Sequence, residues 1–459
     1  MISLILISLI LLCVSSLVVL SISNKDVLRT IDITNSIIKI KTDIKIINIL
    51  KNDKEYIISY PTSIANKLAY IAVNYNKKNI LSNPIGSSNN NITSYSIKLD
   101  AIDNIKEPLS LSIETVFTNI LEPYPTEIKQ LDNQYVKASE TLYFFSPYTT
   151  DNQKTVIKLP ENQDKVESYT KFPPSSLKGK TLTYGPYNDV KPFDDTMISV
   201  HYMNHNKFAK FSTVYREVEV SHWGNVAFED VYELKHFGAK LKGGFSRFDY
   251  QMRRQGQQQS HSFRNLIATL PSEANNIYYR DQIGNISTSD IRDGPDGQLE
   301  LEIETRFPLF GGWQTQFYIG YSLPTESCLS VLSDGRLRLN FNFFPPFEDV
   351  FVDDMEIKVV LPEGSKDIIV DVPYTVEQDR TTRYTYLDSK FNGGRPVITL
   401  KAKNIVEEHD KQVTITYSFS KSRMIVEPLM LILTFFAFFV ICSIVTRIDT
   451  SSSKKEKKE

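Results

Sequence analysis

"VEVSHWGNVAFED" (Val218–Asp230) alternates on both sides of a short interruption. Val218 and Val220 alternate before the interruption, Val226 and Phe228 alternate after it, and His222-Trp223-Gly224-Asn225 separates them. Alternation with period two buries one face of a strand and wets the other. Glycine supplies the backbone freedom that a tight reversal needs. The stretch predicts two strands joined by a turn or bulge, with Trp223 packing beside Gly224. A histidine, a tryptophan and the carboxylates Glu229 and Asp230 also invite comparison with an active site. Adjacent carboxylates on a strand point to opposite faces, which does not suit acid–base work, so His222 is expected to be structural.

The same alternation recurs outward along the chain, as Ile31/Ile33, Ile38/Ile40, Ile44/Ile46, Leu299/Leu301/Ile303 and Val413/Ile415/Tyr417. Runs rich in proline, glycine and asparagine punctuate it: "NPIGSSNNN", "FPPSSLKGK", "RDGPDGQ" and "FNGGRP". The expected fold is mainly β, with two tandem β-sandwich-like domains followed by a single C-terminal transmembrane helix. A weak internal repeat sets the boundary. Arg29–Thr34 echoes Arg216–Ser221, Leu159–Glu161 echoes Leu361–Glu363, and Ile198–Tyr202 echoes Val413–Tyr417. The offsets rise in order, 216 − 29 = 187, 361 − 159 = 202 and 413 − 198 = 215, as a duplication with insertions requires. The expected domains are residues 24–212 and 213–425.

The ends place these domains. Residues 1–23 read as a signal peptide, apolar from Ile2 to Leu20, with Ser21 and Ser23 at the small-residue positions of a cleavage site. An uncleaved anchor is the alternative. Leu429–Val445 carries no charge, and its 17 residues give roughly 26 Å of helix. A transmembrane helix is expected over 427–446, with a cytosolic tail at 447–459. Basic residues in that tail suit the cytosolic side and make the chain type I, with a lumenal N-terminus. Lys455 and Lys457 stand five and three positions from the carboxyl end, like a dilysine retrieval signal.

Composition excludes several classes. The net charge of −2 argues against a nucleic-acid partner. Three cysteines, at Cys13, Cys328 and Cys442, leave one thiol between signal and membrane helix, so no disulfide framework holds that region. Cys328 reads as a small buried hydrophobe. His201 and His205 stand at i, i+4, but on a strand that spacing spans ~13 Å, too far for one ion, so no metal site is expected. No Gly-x-Ser-x-Gly elbow and no phosphate-cradling loop occurs, which leaves neither a catalytic residue nor a cofactor to assign. Asn91-Ile92-Thr93 and Asn285-Ile286-Ser287 are glycosylation sequons.

The stretches 215–251, 277–289 and "RFPLFGGWQTQFYIGYSLP" (306–324) resemble the ribophorin I family, subunit 1 of the oligosaccharyltransferase complex. The resemblance continues through "LPEGSKDIIVDVPY" (361–374), "YTYLD" (384–388) and "GRPVI" (394–398) to Glu427-Pro428, and is looser before residue 205. It implies a non-catalytic subunit in the endoplasmic reticulum membrane, supporting transfer of a dolichol-linked oligosaccharide to Asn-x-Ser/Thr of nascent proteins. It also implies other oligosaccharyltransferase subunits as partners, among them a multi-spanning catalytic one, and nascent polypeptides. The family sequon near "RDQIGNIST" singles out Asn285. The short tail departs from animal members, which puts any role of a cytosolic domain in doubt. Trp223, Phe310, Trp313 and Tyr318 belong to aromatic runs that suit either a core or a contact surface. The competing reading is a β-sandwich cargo or adhesion receptor of the secretory pathway.

Overall fold

The computed structural model describes residues 22–49, 55–76, 78–80, 82–88, 91–99, 108–161, 165–255, 261–294, 297–385, 388 and 393–453. Most of the expected signal peptide, Lys455 and Lys457 lie outside the described residues.

The chain forms two compact units. The first comprises residues 1–209, 236–263 and 308–313; the second comprises 210–235, 264–307 and 314–459. The units are therefore not contiguous in sequence, in contrast to a simple cut after residue 212.

In the first unit an eight-stranded sheet contains β1 (Ser23–Asp32), β2 (Ile38–Ile47), β3 (Leu68–Tyr75), β4 (Lys78–Ile80), β5 (Leu109–Phe117), β6 (Thr150–Lys158), β7 (Ser175–Lys178) and β8 (Thr181–Val190). Their order across the sheet is β7-β8-β6-β1-β2-β5-β3-β4. The second unit repeats the pattern. Its strands are β9 (Ala209–Ser221), β10 (Asn225–His236), β11 (Asn275–Asp281), β12 (Gly284–Asn285), β13 (Gln314–Pro324), β14 (Phe351–Val360), β15 (Glu377–Arg383) and β16 (Arg395–Ile405). Their order, β15-β16-β14-β9-β10-β13-β11-β12, matches the first sheet strand for strand. Each sheet has one parallel pair in the same place, β1 with β6 and β9 with β14.

The smaller sheets match as well. A four-stranded sheet ordered 122–123, 135–141, 197–203, 166–169 corresponds to one ordered 329–331, 337–342, 412–418, 366–371. A three-stranded sheet ordered 55–61, 92–98, 82–88 corresponds to one ordered 263–270, 299–309, 290–293.

Period-two alternation selects the core. Along β9, Val214, Val218 and Val220 are buried at one parity, with Phe211 buried at the other nearer the strand's start, and along β2, Ile38, Ile40, Ile44 and Ile46 are buried. Each such side chain contributes about 2 kcal/mol by leaving water. At the C-terminal end a 3-10 helix (Lys421–Ile425) leads into a long helix, α1 (Val426–Ser453). Pro428 falls in its first turn, where a missing N–H costs nothing. The most apolar 18-residue window between Lys421 and Arg447 has no residue buried against protein. Thr434 and Thr446 donate their hydroxyls to the carbonyls of Met430 and Cys442, so these polar groups are satisfied inside the helix, as a hydrocarbon surrounding demands. The helix runs beyond residue 446, since no proline or glycine breaks "TRIDTSSS".

Candidate functional site

The arrangement nearest to a catalytic constellation lies between β9 and β10. Arg216 shares parity with Val218 and Val220, and Asp230 shares parity with Phe228 and Tyr232, so both charges are aimed at the core. Arg216 Nε donates to Asp230 Oδ1 at 2.7 Å and Nη2 donates to Oδ2 at 2.7 Å. The Tyr232 hydroxyl donates to the same carboxylate at 2.6 Å. Arg216 Nη1 reaches the carbonyls of Asn342, Phe343 and Phe344 at 2.9, 3.3 and 3.4 Å. Burial opposes the charge on Arg216, but the Asp230 carboxylate outweighs it and holds the guanidinium above its ordinary range. All three guanidinium nitrogens of Arg216 and both carboxylate oxygens of Asp230 are engaged within the protein. Such a network fixes strand register.

The first unit carries its counterpart. Arg29 on β1 donates to the carbonyl of Thr141, and its Nη2 lies 3.2 Å from Glu140 Oε1. Both buried arginines thus brace the strand end that follows the same position of the four-stranded sheet. Charged residues placed at buried parity, twice and at matching points of the repeat, were the available signal in the sequence.

The histidines singled out in the sequence each contact a protein group. His222 Nε2 is 2.9 Å from the Tyr417 hydroxyl, its ring meets Phe419 edge-on at 4.0 Å, and burial lowers its pKa to about 4. His201 Nε2 is 2.8 Å from the Tyr124 carbonyl, and His205 Nε2 is 3.1 Å from Met203 Sδ. Among the described residues no group of three or more His, Cys, Asp or Glu is placed to hold a metal ion. Cys328 is buried, and burial pushes its thiol up to about 11, the opposite of nucleophile activation. Glu229 lies on the wet face, where it accepts from Tyr278 at 2.6 Å.

The expected aromatics separate. Phe310 is fully buried, in edge contact with Trp313 at 5.4 Å and near Phe245 and His261 within the first unit. Trp313 and Tyr318 are half-buried. Trp223 corrects the expectation of a packing anchor, because it is 64 % exposed at the β9–β10 turn. The adjacent Gly224 has φ +108°, which throws the tip outward instead of folding the indole onto the sheet. Asn285 is exposed while the next residue, Ile286, is buried; Asn91 is exposed at a turn with φ +55°.

Open troughs lie on the wet faces of the large sheets. One of about 600 Å³ in the second unit is walled by Tyr215, Glu356, Lys401 and Lys403, and one of about 690 Å³ in the first by Asp26, Lys41, Asp43 and Glu114. Their salt-bridged rims, such as Lys401 to Glu356 at 3.6 Å, suit contact with polar polymer surfaces and lack a nucleophile–base pair.

The family model described as Ribophorin I matches residues 22–446. Dolichyl-diphosphooligosaccharide–protein glycosyltransferase subunit 1A of Arabidopsis thaliana is 39 % identical over 93 % of this chain and 70 % of its own length. Subunit 1B of Oryza sativa subsp. japonica is 40 % identical over 93 % of this chain and 91 % of its own. Subunit 1 of Caenorhabditis elegans is 36 % identical over 94 % and 73 %. Among solved structures, an M1 zinc metallopeptidase from Deinococcus radiodurans overlaps 46 % of this chain and 42 % of its own at TM-score 0.28 and 8 % identity, too little to support a functional argument. On its sequence over nearly the whole length, the chain belongs to the ribophorin I family.

Proposed function

We propose that this protein is a non-catalytic subunit of an oligosaccharyltransferase complex, where it supports transfer of dolichol-linked oligosaccharide to Asn-x-Ser/Thr of nascent proteins. The observation that carries this is the full-length similarity to proteins named as subunit 1 of that transferase. The chemistry on this chain supports an accessory role: its buried charged network is internally satisfied and its thiol is held protonated. Catalysis then belongs to another, multi-spanning subunit. The wet sheet faces contact partner subunits and nascent polypeptide.

In this reading the two β units stand in the lumen of the endoplasmic reticulum, as a duplicated pair of domains. Helix α1 crosses the membrane once, and Lys455 and Lys457 return the protein to that compartment. Asn285 and Asn91 are modified there. Affinity capture from digitonin-solubilised membranes should recover the catalytic subunit, and depletion should leave secretory proteins under-glycosylated. Normal glycosylation with no such association would overturn the proposal. The receptor alternative predicts strong surface biotinylation, and the resident subunit predicts none.

A further inference from the structure

The β9–β10 turn does not end in free space within the second unit. His222, Trp223, Pro362, Arg423, Met424 and Val426 surround one small hollow of about 70 Å³. His222 is tied to Tyr417 and Phe419, the residues that lead into the 3-10 helix and then α1. Arg423 lies across the turn at Gly364, with side-chain atoms 3.2–3.3 Å from where a Cβ would stand. Two turns of the unit are thereby gathered on the start of the apolar helix.

We infer that this tip sits in the headgroup layer of the bilayer, with Trp223 as its interfacial anchor. The inference rests on the proposed reading that α1 spans the membrane. The charge-free run begins at Leu429, three residues after Val426 on the hollow's wall, an axial rise of about 4.5 Å. The polar layer on each side of a bilayer is roughly 5–7 Å thick, so residues level with Val426 fall inside it. Trp223 is 64 % exposed and Ile425 63 % exposed, an arrangement that is unfavourable in plain water but suits a zone that accepts both apolar rings and N–H donors. Lys421 and Arg423 beside them match lipid phosphates. Exposure of the tryptophan and continuity with the apolar helix are separate observations that point to the same occupant.

The chain has two tryptophans, so Trp313→Phe leaves Trp223 as the sole indole. The full chain should be reconstituted in phosphatidylcholine liposomes carrying a spin label either at the headgroup end or deep in the acyl chain. The shallow label should quench Trp223 about two-fold or more over the deep one, with little quenching by aqueous acrylamide. Subtracting Trp223→Phe from the wild type gives the same reading without altering Trp313. A carbonate-resistant chain whose Trp223 responds to acrylamide and to neither lipid would overturn the interfacial placement alone. Extraction by carbonate would overturn the span and the placement together.

Discussion

Arg216 and Asp230 meet through two 2.7 Å hydrogen bonds between neighbouring strands, with both side chains almost sealed from solvent. Removing one partner strands a charge in the core, whereas removing both leaves an apolar gap that can be filled. Asp230→Asn should therefore destabilise the second unit by about 3–5 kcal/mol, read from urea unfolding of the purified chain in detergent. The double change Arg216→Met with Asp230→Leu should lose much less. Equal losses would show that the pair acts only through packing.

His236 predicts a dependence on pH. Its Nδ1 accepts from the Gly238 amide at 3.0 Å and its Nε2 donates to the His261 carbonyl at 2.6 Å, which fixes the neutral tautomer. Burial lowers its pKa to about 4, against an ordinary 6.5. The unfolded chain takes up this proton first as pH falls. The contribution to stability is thus complete above pH 6.5, declines between 6.5 and about 4, and levels off below. It amounts to about 3 kcal/mol. His236→Gln should flatten that part of the profile in melts between pH 7.5 and 4.5; an unchanged slope would remove His236 as a source.

Gly311 supplies room that no other residue can. A Cβ there would stand 1.8 Å from the Ala239 carbonyl oxygen and 2.4 Å from its carbon, both backbone atoms. Gly311→Ala should cost about 3 kcal/mol or more and expose the 308–313 segment to proteolysis. Gly312→Ala, with φ +82° but its nearest neighbour a flexible lysine, should cost only about 1 kcal/mol.

Much of this was legible in the sequence, because strand parity is a local property. The residues flanking the His222 turn are buried as their alternation requires, and the repeated Arg29 and Arg216 segments occupy corresponding strands. Parity also hid information: Arg216 and Asp230 stood at core positions, but only the fold shows that they face each other. Trp223 misled because a tryptophan beside glycine resembles a packed corner, and alternation does not say what lies beyond a strand's end. The return of residues 236–263 and 308–313 to the first unit depends on contacts far apart in sequence, which no period records.

The sequons offer a direct check. Asn285→Gln and Asn91→Gln should each remove one glycan-sized mobility step from the protein made in microsomes, and endoglycosidase H should collapse both on the wild type. A wild type insensitive to the enzyme would withdraw the two sites and the lumenal orientation with them.

The parallel pairing of β1 with β6 sets a timetable for synthesis. Arg29 waits for Thr155, 155 − 29 = 126 residues later, and the first unit still lacks the 308–313 segment when that pair has formed. A chain emerging from its N-terminus therefore cannot finish its first body before much of the second has been made. The earliest part of the protein must wait, incompletely assembled and open to chaperones, for a short piece that begins 308 − 263 = 45 residues after the rest of it has been made.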